Sequence, residues 1–206
     1  MIQKDIMRIT QPLDDIFQNK STVRVLRQLV LFPSKVTTGR GLAKELDMNH
    51  ATCIRALNAL VALGVISRRS VGKSSVYEFP SDSILYKEFL KPLFEKEANL
   101  LNDLVGILSK GIRQNIQSIY LFGSVARAED TSESDIDIAF ILKSGVDKGR
   151  AEEVLGINKR EVYRLYRIGT NALVYTSEEF ERMKRKGHPL AKEILSEGVL
   201  LAGKEQ

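Results

Sequence analysis

Cysteine and long apolar segments are scarce in this sequence of 206 residues, and their scarcity excludes several classes of protein. The single cysteine, Cys53, excludes an internal disulfide framework and a cysteine-rich zinc site. No apolar run approaches the roughly 20 residues that a membrane span needs. The first ten residues contain no continuous apolar segment, so we expect no signal peptide, no membrane partner and a cytoplasmic location.

Basic residues are concentrated in the first part of the chain. The net charge is +5, yet residues 1–80 alone hold 12 Lys or Arg against 6 Asp or Glu. Residues 81–206 hold 19 against 20 and are nearly neutral. A basic segment followed by a near-neutral one predicts an anionic partner for the first half of the chain.

A short apolar run in the second half ends in a glycine turn. Ile119–Phe122 is β-branched and aromatic, which predicts a buried strand. Gly123 and Ser124 then predict a turn into a short helix. Because glycine has no side chain, backbone N–H groups at such a turn can approach a bound phosphate closely.

Two aspartates follow ten residues after Ser124, at the start of a second predicted strand, Asp135–Leu142. Side chains two apart on a strand share a face, so Asp135 and Asp137 are expected to point the same way. Adjacent carboxylates repel each other, and Mg²⁺ between them removes that repulsion. The pattern predicts a phosphate cradle beside a Mg²⁺-binding carboxylate pair. The alternative is a solvated turn with two surface aspartates, which the flanking isoleucines disfavour.

Gly123-Ser124, ten residues and Asp135-x-Asp137 together resemble the signature of the polymerase-beta-like nucleotidyltransferase superfamily in its minimal form. The resemblance implies a small mixed sheet flanked by helices. It further implies that Asp135 and Asp137 are catalytic metal ligands and that Gly123 and Ser124 bind the phosphates of a nucleoside triphosphate. Arg127 occupies a position where the minimal form often has an arginine, which implies nucleotide binding. A surface ion pair with a nearby carboxylate, Glu129 or Asp130, is an equally open interpretation.

The same resemblance implies a third carboxylate on the following strand, predicted at Thr170–Thr176. The best match there is Asn171, which is neutral and holds a cation less well than aspartate does. A two-ion magnesium site is therefore expected to lack a ligand on the side that activates the acceptor. Glu178 and Glu179 lie beyond the strand and are better explained as helix-start residues, with Thr176 and Glu179 forming a capping box.

Residues 1–80 predict three helices followed by a basic hairpin. The helices are expected at 22–31, 37–46 and 50–63, and the strands at 65–69 and 75–79. This order resembles a winged helix-turn-helix domain, which implies binding to double-stranded DNA. The implied DNA contacts lie on the open face of the third helix and on the hairpin: Thr52, Arg55, Asn58, Arg68, Arg69 and Lys73. Docking to another protein is the alternative. Gly72-Lys73-Ser74 matches the end of a P-loop, but we reject that motif because this turn joins two strands.

The predicted fold class is α+β, with a winged helix domain at 1–80, connecting helices at 81–112 and a nucleotidyltransferase domain at 113–206. Pro92 is expected to kink or split the connecting helix, whose apolar stripe could also support a homodimer. A further helix is predicted at 149–167, with a break near Gly156.

Three functions are compatible with these patterns. The first is a Mg²⁺-dependent nucleotidyltransferase that moves a nucleoside monophosphate from a nucleoside triphosphate to an acceptor, with a DNA-binding arm. The second is a DNA-binding transcriptional regulator whose second domain binds nucleotide without catalysis. The third is a toxin–antitoxin role, since some minimal nucleotidyltransferases pair with a small helical RNase, although nothing in the chain names such a partner.

Overall fold

The computed structural model describes residues 11–33, 35, 37–72, 74–80 and 82–203. The chain divides into two units, Met1–Asn99 and Leu100–Gln206. The division falls inside the segment 81–112 that the sequence assigned to connecting helices. Each unit has its own hydrophobic core.

The first unit consists of helices and a small antiparallel sheet. Its first elements are α1 (Pro12–Ile16), α2 (Lys20–Leu31), β1 (Thr37–Thr38), α3 (Gly39–Glu45), α4 (His50–Ala62), β2 (Ser67–Val71) and β3 (Ser74–Glu78). Strand β3 lies between β1 and β2 and is antiparallel to both.

Helix α4 begins after Asn49, whose side chain accepts hydrogen bonds from the backbone N–H groups of Ala51 and Thr52 at 3.0 and 3.3 Å. Its inner face buries Cys53, Leu57 and Leu60 completely, each 0% exposed. Asn49 was the cap predicted from the sequence.

The β2–β3 hairpin is tighter than the sequence suggested. Its strands begin and end at Ser67–Val71 and Ser74–Glu78, rather than at 65–69 and 75–79. Val65 and Ile66 are buried in the core, at 1% and 3% exposure, but they lie before the first paired residue of the hairpin, Ser67. The backbone N–H of Val65 instead donates to the carbonyl of Leu60 at 3.0 Å, which closes the end of α4.

The segment after the hairpin changes its helical winding next to the proline. Residues Leu85–Leu90 form a π-helix, and α5 (Lys91–Leu108) continues as an α-helix. Pro92 is the second residue of α5 and follows the π-helix directly; because proline has no N–H to donate, the regular i→i−4 hydrogen bond cannot form at this position. The predicted split at Pro92 therefore takes the form of a change of pitch.

The second unit is a four-stranded mixed sheet with helices. Its elements after α5 are a 3₁₀ turn (Arg113–Asn115), β4 (Ile116–Phe122), α6 (Gly123–Ala126), β5 (Ile136–Leu142), α7 (Lys148–Tyr166), β6 (Thr170–Thr176), α8 (Ser177–Arg185), α9 (Pro189–Ser196) and β7 (Val199–Gly203). The strand order is β6-β5-β4-β7. Strand β5 is parallel to β6 and antiparallel to β4, which is in turn antiparallel to β7. The predicted small mixed sheet flanked by helices is confirmed.

Strand β5 is the centre of this unit because both of its faces are covered. Ile138 and Phe140 belong to one apolar cluster together with residues of α7, and Ile141 belongs to a second cluster together with Phe180 of α8. Helix α7 runs without a break through Gly156, contrary to the expected interruption. Its buried residues on either side of that glycine, Leu155 and Val162, keep it packed on the sheet. Across the described residues, no helix combines the length and the apolarity that crossing a membrane requires.

Candidate active site

The turn between β4 and α6 lies directly against an acidic side chain. Gly123 has φ +72°, a left-handed conformation that favours glycine. A Cβ atom at this position would stand 3.1 Å from the carboxyl carbon of Asp137 and closer still to its Oδ2. Gly123 is therefore required twice, once for its backbone conformation and once for the space that the carboxylate occupies. Ser124 follows as the second residue of α6, and its carbonyl accepts a hydrogen bond from the N–H of Glu129 at 2.9 Å.

The two aspartates lie at the beginning of β5. Asp135 immediately precedes Ile136, the first residue of the strand, and Asp137 immediately follows it. Ile136 and Ile138 are buried, at 9% and 0% exposure, and belong to the same apolar cluster. Strand alternation then directs Asp135 and Asp137 to the opposite side. Asp137 is paired with Phe122 of β4, the residue before the glycine turn. The structure thus brings together the Gly123-Ser124 element and the carboxylate pair.

Asn171 is the residue of β6 that lies beside Asp137. The two are partners in the parallel β5–β6 ladder, and the Nδ2 of Asn171 donates a hydrogen bond to Oδ1 of Asp137 at 3.0 Å. Asn171 is exposed. Its position on the strand next to the carboxylates is the one from which the sequence analysis expected a third carboxylate. An amide there leaves the site with one fewer negative charge.

Gly169 contributes to the site and was missed by the sequence analysis. A Cβ atom at residue 169 would lie 2.7 Å from the carboxyl carbon of Asp135 and nearer to its Oδ1. The carbonyl of Gly169 also accepts a hydrogen bond from the N–H of Ile136 at 3.0 Å, which fixes the start of β5 beside the start of β6. The only sequence signal was a glycine just before a predicted strand, which is too common to single out.

The donor set suits a hard divalent cation. Asp135 and Asp137 offer carboxylate oxygens, and Mg²⁺ is usually held by one or two carboxylates with phosphate oxygens and water completing its shell. The residues present therefore fit one Mg²⁺ ion together with a polyphosphate. Within residues 11–203, as far as the structure describes them, no group of three or more His, Cys, Asp or Glu side chains is arranged to hold a metal ion. A second ion would have to bind with fewer protein charges.

Arg127 points to acidic side chains. Its guanidinium is 2.8 Å from Oε2 of Glu129, 3.2 Å from Oε2 of Glu197 and 3.5 Å from Oε1 of Glu193. Hydrogen bonds to Glu129 and then Glu197 raise the pKa of Arg127 above its ordinary value. The surface ion pair with Glu129, one of the two interpretations of Arg127 in the sequence, is thus present, and Glu193 of α9 and Glu197 just after α9 join it.

Glu178 and Glu179 start helix α8, as predicted. Thr176 and Glu179 form a complete capping box, with hydrogen bonds of 3.1 and 3.2 Å between the backbone N–H of each residue and the side chain of the other. Lys148 also donates to Oε2 of Glu179 at 2.8 Å, and this hydrogen bond is the main reason that the pKa of Glu179 is lowered. Thr176 is the last residue of β6, whereas Asn171, which lies beside Asp137, is its second residue. These glutamates therefore lie at the other end of the strand from the aspartates.

The predicted DNA contacts of the first unit fall into separate environments. Arg55 is exposed on α4, and its guanidinium donates to Oγ1 of Thr52 at 3.2 Å. Both residues line a cavity beside the start of α2, whereas Asn58 and Arg68 line another, between α4 and the hairpin. Arg69 forms an ion pair with Glu78. Lys73 lies outside the described residues.

Solved structures with some similarity to the chain include two toxin–antitoxin structures and the structure of a chromatin protein. A mutant of the toxin–antitoxin MntA-HpeT shares 20% identity over 51% of this chain and 74% of that chain, with a TM-score of 0.38. A toxin–antitoxin with AMP-PNP shares 22% identity over 51% and 74%, with a TM-score of 0.37. TrmBL2, an archaeal chromatin protein, shares 18% identity over 84% and 68%, with a TM-score of 0.30. These values are too low to assign a function.

The family comparison is more informative than these likenesses. No curated protein matches the chain. The model of the family described as polymerase beta, nucleotidyltransferase, matches residues 102–206. That match covers half of the chain and includes the glycine turn, both aspartates, Gly169 and Asn171. The chain therefore belongs to the polymerase beta nucleotidyltransferase family.

Proposed function

We propose that this protein transfers a nucleoside monophosphate from a nucleoside triphosphate to an acceptor hydroxyl in a Mg²⁺-dependent reaction. The observation that carries the proposal is the contact between Gly123 and Asp137, which puts the glycine turn directly beside one carboxylate of the pair. Membership of the nucleotidyltransferase family supports the reaction class. The acceptor oxygen would form a bond to the α-phosphorus, the bond to the bridging oxygen would break, and pyrophosphate would leave.

The residues divide this work between them. Asp135 and Asp137 would hold Mg²⁺, and the backbone at Gly123 and Ser124 would hold the terminal phosphates in line with the acceptor. When bound, Mg²⁺ supplies charge neutralisation to the triphosphate and the leaving group. The proton of the acceptor hydroxyl would pass to water, because the amide of Asn171 is not a base. Arg127, as long as it is neutralised by three glutamates, would contribute no free charge to the phosphates.

The test is to measure nucleotide binding and transfer with the full chain. Calorimetry with ATP or GTP and Mg²⁺ reports binding, and release of pyrophosphate from triphosphate incubated with protein, RNA or small-molecule extracts reports transfer. We expect Asp135→Asn and Asp137→Asn to abolish transfer. Asp130→Asn, an exposed carboxylate in the same loop, is the matched control and should leave both readouts unchanged. Failure of the native protein to take up either nucleotide would refute the proposal.

A second candidate function is nucleotide binding without catalysis, and the hydrogen bond from Asn171 to Asp137 favours it. An amide that donates to a metal-binding carboxylate competes with the metal for that oxygen and adds no charge. On this account native protein would bind nucleotide and release no pyrophosphate. Asn171→Asp would then increase the number of Mn²⁺ ions bound per chain and start pyrophosphate release. An unchanged ion count in this variant would remove Asn171 as the explanation.

We further propose that the first unit is a winged helix domain that binds double-stranded DNA. Helices α2, α3 and α4 followed by an antiparallel hairpin, together with the excess of Lys and Arg in residues 1–80, support this assignment. Electrophoretic mobility shift assays at several salt concentrations test it, since the apparent affinity should fall with salt by a log–log slope of about 0.9 for each neutralised phosphate. The homodimer, the cytoplasmic location and the domain limits at 80 and 112 stay predictions.

A further inference from the structure

A cleft of about 500 Å³ lies in the first unit between helix α4 and the β2–β3 hairpin. Arg40 lines it from the start of α3, His50 and Asn58 line it from α4, and Arg68 and Tyr77 line it from the hairpin. Asn58 and Arg68 are among the DNA contacts predicted from the sequence, whereas Arg40 and His50 are not. The folded chain brings these four polar side chains around one concave surface.

The cleft carries positive charge that no carboxylate neutralises. No aspartate or glutamate is among its lining residues. In the described part of the chain, neither Arg40 nor Arg68 forms an ion pair, whereas Arg27 and Arg69 are each bound to a glutamate. Hydroxyl groups of Thr38, Ser74 and Ser75 add hydrogen-bond donors to the same lining. A concave surface with free guanidinium groups and hydroxyl donors is complementary to phosphate groups.

Strand alternation explains why only one of the two adjacent hairpin arginines belongs to this cleft. Arg68 is paired with Tyr77 across the hairpin, and both line the cleft. Arg69 is paired with Val76, so its side chain leaves the opposite face of the hairpin, where Glu78 binds it. The hairpin therefore presents an unpaired cation on the cleft side and a neutralised pair on the other side.

We propose that this cleft binds the sugar–phosphate backbone of DNA through Arg40, His50 and Arg68, a role that rests on the DNA binding proposed above. Arg40 and Arg68 supply bidentate donors to phosphate oxygens, and the imidazole of His50 and the amide of Asn58 supply further N–H groups. Arg69 is not a phosphate contact, because its charge is already balanced by Glu78. The contact surface thus includes the start of α3, beyond the helix face and the hairpin tip.

The experiment compares three alanine variants of the full chain. Binding of a fluorescein-labelled duplex is followed by anisotropy over a series of KCl concentrations, with circular dichroism to verify folding. Arg40→Ala and Arg68→Ala should each weaken binding and lower the log–log salt slope by about 0.9, because each removes one phosphate contact. Arg69→Ala is the discriminating variant, because the sequence pattern alone also predicts Arg69 as a DNA contact; we expect it to leave the slope unchanged, since Glu78 already balances its charge.

The outcomes separate this proposal from the broader one. If the native chain binds no duplex at any salt concentration, DNA binding itself is refuted. If it binds and only Arg69→Ala lowers the slope, DNA binding stands and the cleft proposal is overturned. A third outcome also overturns the cleft proposal. In it, Arg40→Ala weakens the binding of phosphate ions or of ATP without Mg²⁺ but leaves duplex binding at the native affinity. The cleft would then bind a free phosphate ligand.

Discussion

Replacing Gly169 by alanine tests whether the backbone at the start of β6 holds the Asp135 carboxylate in its metal-binding position. The added methyl carbon would lie 2.7 Å from the carboxyl carbon of Asp135 and 3.3 Å from its Oδ2. Carbon atoms in normal contact are about 3.5–4.0 Å apart, so the carboxyl group must retreat by about 1 Å. The side chain of Asp135 is exposed and can move. The backbone of Gly169 is held in place, because its carbonyl accepts a hydrogen bond from the N–H of Ile136.

The consequence for ligand binding is larger than the consequence for stability. Mg²⁺ requires oxygen ligands at about 2.0–2.1 Å in near-octahedral geometry, and a displacement of about 1 Å would remove one of the two protein ligands proposed for it. Loss of support for a metal ligand typically costs about 10- to 100-fold in affinity. The unfolding free energy should change by less than about 0.5 kcal/mol, because only an exposed side chain is displaced. Gly169→Ala should therefore be a folded protein with weak binding of Mn²⁺ and of nucleotide.

The assay pairs Mn²⁺ titration, followed by electron paramagnetic resonance, with calorimetric titration of ATP in the presence of Mg²⁺. Gly156→Ala is the control, because a Cβ atom there would meet nothing within 4 Å and the residue lies inside helix α7. That control should bind both ligands normally and be stabilised by up to about 1 kcal/mol. Native affinity in a folded Gly169→Ala protein would show that Asp135 is not positioned by Gly169, or that it is not a ligand.

Three further predictions concern the scaffold. The hydrogen bond from Lys148 lowers the pKa of Glu179. The stability that Glu179 contributes is therefore present above the ordinary glutamate pKa of about 4.3 and is lost as the pH falls through the pKa of the folded state. When urea unfolding is measured from about pH 6 down to pH 3, Glu179→Gln should lose less unfolding free energy than the native chain. Phe180 is 0% exposed, and Phe180→Ala should lower the unfolding free energy by about 3–5 kcal/mol in the same assay, whereas a change below about 1 kcal/mol would contradict its place in the core. Burial raises the pKa of the Cys53 thiol, so it should react with Ellman's reagent only at the rate of unfolding, and rapid labelling of native protein at neutral pH would contradict its burial.

Local signals in the sequence were sufficient for several elements of the second unit. The strand at Thr170–Thr176 and the capping box that begins at its last residue were predicted with their observed limits, because the apolar run Ala172–Tyr175 and the Thr176–Glu179 spacing are both contained within a few residues. The shared orientation of Asp135 and Asp137 was likewise predicted locally, because the two residues are two positions apart in the sequence. Contacts outside the local pattern decided the hairpin, since the backbone N–H of Val65 closes the end of α4 and the first strand begins two residues later than predicted.

The parts of the site that were not predicted depend on residues far apart in the chain. Gly169 acquires its role only because β6 is parallel to β5, which puts it against Asp135 after a helix of 19 residues. Glu193 of α9 and Glu197 just after it, which pair with Arg127, are 66 and 70 positions away in the chain, so no short motif could reveal them. Strand alternation could have separated Arg68 from Arg69, but only once the limits of the hairpin strands were known.

The parallel pairing of β5 with β6 makes assembly of the site a late event in the life of the chain. Asp137 and Asn171 become neighbours only when the intervening helix has crossed over the sheet, so a ribosome-bound chain that ends before residue 171 cannot present both side chains of the site. A nucleotide that binds there as proposed would bind the native state alone, and at 100 times its dissociation constant it would stabilise that state by about 2.7 kcal/mol. Bound nucleotide would thus protect the folded protein from proteolysis.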